Sequence, residues 1–155
     1  MIRLAEKTDA ERLTELFTEL HRHHVGIMPE TFRMPEQSWF RGRIGEILND
    51  VGQKVLVYEG GVSGRIEAYA TVRIIEADTP DKPPRRVCFI DCFAVSESSR
   101  RQGIGTELFE AVKAFGQEKG CDSVQLGVSA GNAGAVEFYE KMGFKPRIVQ
   151  MEARL

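Results

Sequence analysis

The sequence predicts an α/β (α+β) fold: a mixed central β-sheet flanked by helices on both faces. Three observations carry this. Strand and helix patterns alternate in the order β-α-α-β-β-β-α-β-α-β. The run Val87-Cys88-Phe89-Ile90-Asp91-Cys92-Phe93-Ala94-Val95 is almost continuously apolar, as a strand covered on both faces must be. The segment after it places Ile104, Leu108, Ala111 and Phe115 at helical spacing. The 155 residues suffice for a single domain, 1–155, with its own core.

In chain order, residues 2–5 form a short opening strand. Thr8-Asp9-Ala10-Glu11 has the form of a capping box for a first helix, whose apolar stripe is Leu13, Leu16, Phe17 and Leu20. That helix ends in His21-Arg22-His23-His24. Three histidines in four residues raise the question of a metal. No acidic or cysteine partner lies nearby in sequence, so a solvated helix end is expected and no metal. Residues 25–34 form a loop. A second helix starts at Pro35, buries Phe40, Ile44, Ile47, Leu48 and Val51, and stops at Gly52. Residues 54–58 and 64–77 make an antiparallel hairpin around the turn Glu59-Gly60-Gly61. Pro80, Pro83 and Pro84 make 79–84 an exposed loop. Beyond the central stretch, Lys119-Gly120 caps the helix, 124–128 is a strand, and Asn132 opens a short helix that Gly143 ends. Residues 145–155 form a final strand or a pair of strand pieces.

Composition narrows the class. Hydrophobic residues make up 42% and charged residues 28%, with a formal net charge of -2. That balance argues against binding nucleic acid through bulk charge. No apolar run is long enough to span a membrane and no signal peptide opens the chain, so no membrane association and a cytoplasmic location are expected. Cys88, Cys92 and Cys121 lack C-x-x-C spacing and read as buried free thiols of a reducing compartment. Strand alternation puts Cys88 and Cys92 on one face, and Asp91 on the face of Phe89 and Phe93.

The turn between the central strand and its helix, Arg100-Arg101-Gln102-Gly103-Ile104-Gly105-Thr106, suits a phosphate. Glycine admits close backbone approach, the first helical turn has free N–H groups, and two arginines add charge. It is not a G-x-x-x-x-G-K-S/T loop. Nor is it a G-x-G-x-x-G/A fingerprint, because Leu108 occupies the last position. It fits Q/R-x-x-G-x-G/A through Arg100, Gly103 and Gly105. In this setting it resembles the pyrophosphate loop of the GNAT superfamily of acetyl-CoA-dependent N-acetyltransferases. A second segment, Asn132-x-x-Ala135-x-x-x-Tyr139-x-x-x-Gly143-Phe144, is similar to another segment of that family. The element order matches along essentially the whole chain.

The resemblance implies acetyl-CoA as cosubstrate and a primary amine as acceptor, on a small molecule or an amino-acid-like compound. The backbone of Arg101 to Thr106 would hold the diphosphate. Phe93, Ala94 and Val95 would pair with the pantetheine arm, with an N–H at Phe93 or Ala94 facing the thioester oxygen. Asn132 would bond the pantetheine from the other side, beside its role as a helix cap. Tyr139 would be the general acid toward the leaving thiolate; the other role open to it is core packing. A glutamate that some relatives carry five residues before this asparagine is here Gly127. Asp91 is the candidate for binding the substrate ammonium or taking its proton, because it interrupts an apolar strand. It is equally readable as a structural acid paired with Arg85, Arg86 or a backbone N–H. Glu67, Glu76, His23 and His24 stand in reserve. The acceptor pocket is expected between 25–34, the second helix and the strand at Asp91. Acetylation of a protein or peptide, or acyl-CoA sensing without catalysis, are the alternatives. A homodimer is expected from family habit.

Overall fold

A computed structural model describes residues 1–60 and 64–155. The elements are β1 (Ile2–Leu4), α1 (Ala10–Ile27), α2 (Gln37–Asn49), β2 (Gln53–Glu59), β3 (Ile66–Thr79), β4 (Lys82–Val95), α3 (Ile104–Glu118), β5 (Ser123–Leu126) and α4 (Ala133–Lys141). One five-stranded sheet runs β1-β2-β3-β4-β5. The first four strands are antiparallel and β5 joins β4 in parallel, so the sheet is mixed as expected.

Each face of the sheet has its own core. On one, Ile104, Leu108, Phe109 and Val112 of α3 pack on Ala68, Ala70, Val72, Cys88 and Ile90. On the other, Leu13 and Leu16 of α1 and Ile44 of α2 pack on Val55, Val57, Tyr69 and Ala94. The helical stripes and the apolar strand therefore do what their periodicity demands. Each buried Leu or Ile side chain contributes about 1.5–3 kcal/mol.

The structure corrects several expectations. The capping box lies earlier than Thr8 with Glu11: Glu6 and Asp9 cap a 3-10 turn at Lys7–Asp9 that leads into α1, with the Asp9 carboxylate accepting the Glu6 N–H at 2.7 Å. Arg3 donates two hydrogen bonds to the same Asp9, which fixes the entry to α1. Helix α1 continues past the histidines to Ile27, and α2 begins at Gln37 and not at Pro35. Val51 lies beyond α2 and is 90% exposed. Residues 79–84 are a tight hairpin and not an irregular loop. Pro83 and Pro84 are tolerated in β4 because they lie opposite the irregularity between Ala77 and Thr79, and upstream of Val87, where β5 begins to pair. Residues 145–155 form no strand, although Ile148, Val149 and Met151 are apolar and exposed. In the turn expected at 59–61, Gly61 lies outside the described residues. Left-handed backbone occurs at Gly120 and Gly143, where the helix caps were expected.

Candidate active site

The site begins with an irregularity in β4. Thr71 is opposite Cys92 while Val72 is opposite Ile90, so Asp91 is an extra residue, a β-bulge. An extra residue reverses the side-chain alternation from that point. Cys88 and Ile90 belong to the α3 side, whereas Cys92 and Ala94 belong to the α1–α2 side and Phe93 and Val95 return to the α3 side. The expected sharing of one face by Cys88 and Cys92, and by Asp91 and Phe93, is thereby corrected. The parallel partner also stops here: β5 pairs with β4 only from Val87↔Ser123 to Ile90↔Leu126. Residues 91–95 thus present a free backbone edge beside a cleft of about 1280 Å³.

One end of the cleft is made by the turn into α3. Arg101 has φ +62° and Gly103, the N-cap of α3, has φ +84°. Among the described residues no acceptor meets the backbone N–H of residues 101 to 106. A side-chain carbon placed on Gly103 would meet no protein atom within 4 Å, so the space above it is open. The Arg100 Nε donates to the Val95 carbonyl and the Gln102 amide to the Ser98 carbonyl, both at 3.2 Å, which ties the turn to the strand end. Arg100, Arg101, Gly103, Gly105 and Thr106 line the cleft. The side chain of Ile104 is buried in the core and that of Gln102 turns back on Ser98, so these two can offer only main-chain groups.

Helix α4 closes the same end. The Asn132 Oδ1 accepts the Ala135 N–H at 3.2 Å, so its role as a cap is observed. Gly105 lets α4 approach closely: a Cβ there would sit 3.3 Å from the Phe138 ring, a tight contact. Tyr139 stands among aromatic rings, with centroids 6.2 Å from Phe93, 5.3 Å from Phe138 and 5.5 Å from Phe144. Its hydroxyl has no hydrogen-bond partner among the described residues. Burial, and then the nearby Cys92 sulfur, hold the phenol above its ordinary value, so it keeps its proton.

The other end lies between α1, α2 and the sheet. Both Asp91 carboxylate oxygens accept from the Arg73 Nε at 3.0 Å. Arg85 and Arg86, the partners considered from sequence, instead meet Asp122 and Glu76. Of the reserve residues, Glu67 and Glu76 are not among the cleft's lining, whereas His23 and His24 are. The His24 imidazole is held below its ordinary value by burial and then by the neighbouring His23 and His21. The His21 Nε2 lies 2.8 Å from the Arg33 carbonyl, an anchor for the loop after α1 and not a solvated end. No cluster of three or more metal-binding side chains occurs among the described residues.

Two residues missed in the sequence lie here. The Thr71 Oγ1 and Gln53 Oε1 are buried without a hydrogen-bond partner among the described residues, and both residues line the cleft. A threonine inside Ala-Tyr-Ala-Thr-Val was the one signal available for the first. Beside them the Tyr69 hydroxyl lies 3.1 Å from the Cys92 sulfur, and burial raises the Cys92 thiol to about 11.

With this geometry in place, comparison with known proteins identifies the class. The acetyltransferase (GNAT) family model matches residues 11–144, and the chain belongs to that family. A tetramutant of the BH1408 protein from Bacillus halodurans superimposes with a TM-score of 0.93 at 28% identity, over 100% of this chain and 99% of that one. The aminoglycoside N-acetyltransferase AAC(6')-Iy, solved in complex with CoA, has the same fold, with a TM-score of 0.74 at 21% identity over 100% and 95% of the two chains. The probable N-acetyltransferase san of Drosophila melanogaster is 49% identical over 47 residues, which is 30% of this chain and 26% of that protein. The matched region spans about a quarter to a third of the curated relatives' lengths. Among the described residues no helix is long and apolar enough to cross a membrane.

Proposed function

We propose that the chain transfers an acetyl group from acetyl-CoA to the primary amine of a small-molecule or amino-acid-like acceptor. The observation that carries this is a pair of backbone rows on the cleft: the β4 edge at 91–95, where β5 no longer pairs and the Arg100 side chain reaches the Val95 carbonyl, and the amides at 101–106. The first suits an amide-bearing arm laid alongside as an added strand. The second, at a helix N-terminus and beside Arg100 and Arg101, suits a diphosphate. Acetyl-CoA offers both groups, and its thioester supplies the reactive acetyl.

The protein's own part follows from position. The amides of Arg101 to Thr106 hold the diphosphate. Phe93, Ala94 and Val95 align the arm, and Asn132, with the second capacity of its amide, steadies it from α4. An N–H at Phe93 or Ala94 faces the thioester oxygen as charge develops, a contribution of about 2.7–4 kcal/mol for a single donor. The Tyr139 hydroxyl, protonated and unpartnered, donates to the departing sulfur. Asp91 holds the acceptor's ammonium or takes its proton through water, with Arg73 orienting the carboxylate.

A homodimer is the assembly we propose, supported by residues 145–155: an exposed segment bearing Ile148, Val149 and Met151, which Arg147 ties to Gln125 at 3.2 Å on the edge strand β5. The three unpaired cysteines support a reducing, cytoplasmic setting.

The test is calorimetric titration with acetyl-CoA and CoA, followed by thiol release over amines, amino acids and peptides. Binding with turnover of small amines is expected. Turnover confined to peptides would move the acceptor to proteins, and binding with no turnover would make the domain a sensor.

A further inference from the structure

The acceptor end of the cleft contains two polar atoms that the described residues leave unsatisfied. Thr71 is 1% exposed, and its Oγ1 meets no partner. Gln53 Oε1 is likewise closed to solvent and unpartnered. A buried acceptor without a donor costs roughly 1–3 kcal/mol, so a ligand that supplies the donor recovers that cost. The two sit on different strands of one floor. Thr71 is opposite Cys92, next to Asp91 on β4, whereas Gln53 is opposite Arg73 on β2. Strands are about 4.8 Å apart, so the floor from Asp91 through Thr71 to Gln53 crosses roughly 10 Å. That is the length of a small molecule with a donor at each end.

The walls restrict the molecule further. Trp39 is 44% exposed and stacks on Phe17 at 5.7 Å with 29° between the rings. A planar apolar body suits that wall. Among the described residues lining this end, Asp91 is the one carboxylate, and Arg73 already pairs with it. Arg43, His21, His23 and His24 also line it. A second or third ammonium on the acceptor would meet no compensating charge.

Resting on the acetyl-transfer reading above, we propose that the acceptor is a monoamine with an aromatic body and a distal hydroxyl, of the hydroxyphenylalkylamine class. Asp91, with Thr71 beside it, receives the amine. Gln53 receives the hydroxyl and is the specificity determinant.

The experiment compares tyramine, phenethylamine, spermidine and kanamycin as acceptors by thiol release. Acetyl-CoA affinity is measured separately by calorimetry. Tyramine is expected to exceed phenethylamine by about tenfold in kcat/KM, the worth of one hydrogen bond, and both to exceed the two polycations. Gln53→Leu, which keeps the side chain's size, brings the tyramine-to-phenethylamine ratio toward one. Thr71→Val, an isosteric change, raises KM for both amines without altering the dissociation constant of acetyl-CoA. Preference for spermidine or kanamycin overturns the proposal, as does a tyramine ratio that Gln53→Leu leaves intact. Acetyl-CoA bound and turned over with such other amines defeats this inference alone. Failure to bind acetyl-CoA defeats the reading beneath it as well.

Discussion

The two ends of the cleft are built from different materials. The end at α3 is mostly backbone: amides 101 to 106, the β4 edge and the space above Gly103. The end at α1 and α2 is mostly side chain: Asp91, Thr71, Gln53 and the Trp39–Phe17 wall. A backbone site is tuned to a ligand that does not change, since main-chain groups survive most substitutions. A side-chain site is free to vary with the acceptor. The difference gives each end its own signature in mutants: substitutions at the first should affect acetyl-CoA affinity, and at the second the acceptor's KM.

The largest expected effect tests that division. Gly103→Val puts a β-branched residue at φ +84° and fills the space above the amides. Acetyl-CoA affinity should fall by more than about a hundredfold in calorimetry, the worth of two hydrogen bonds to a charged group, while the fold persists by circular dichroism. An unchanged affinity would remove the loop from the cofactor site. Tyr139→Phe should come next, lowering kcat by about a hundredfold, as for loss of a general acid, with acetyl-CoA binding retained. A rate within twofold of the parent would return Tyr139 to packing among Phe93, Phe138 and Phe144. Asp91→Asn should raise the acceptor's KM about tenfold, the cost of one charged hydrogen bond, and leave the cofactor's dissociation constant unaltered. A change confined to the cofactor would break the comparison.

Legibility in the sequence follows the same line. Glycine at 103 and 105, a strand before and a helix after made the backbone end readable, because the chain's local conformation is itself the binding element. The side-chain end was not readable because its composition depends on strand register. The bulge at Asp91 adds one residue and reverses every face beyond it. No feature of Phe-Ile-Asp-Cys-Phe marks that insertion, so the faces assigned to Cys92 and Phe93 were wrong. Gln53 and Thr71 meet the cleft only through pairing between distant segments, which periodicity within one strand does not encode. Residues 145–155 carry Ile148, Val149 and Met151, but they meet the edge strand β5 through the Arg147–Gln125 side-chain bond, and among the described residues no backbone ladder forms there.

Two smaller effects sharpen the contrast. Truncation after Lys145 should leave the domain folded and convert a dimer to a monomer in light scattering. A dimer that survives truncation would place the interface elsewhere. The smallest effect concerns His24, whose folded pKa is lowered by burial. Between that value and the ordinary one of about 6.5, the unfolded chain binds more protons than the folded one. Stability is therefore complete above about pH 6.5 and declines as pH falls below it. His24→Asn should flatten that slope in thermal melts by a few degrees at most, and an unaltered slope would assign the pH dependence to other groups.

Amide hydrogen exchange at residues 101 to 106, with and without CoA, distinguishes a diphosphate-binding loop from a bare turn. Exchange should be fast in the free protein and strongly slowed on adding CoA, with whichever N–H of Phe93 or Ala94 faces the open edge slowed alongside. Exchange at 101 to 106 that CoA does not slow, at a concentration where calorimetry shows the protein saturated, would contradict the diphosphate-binding loop.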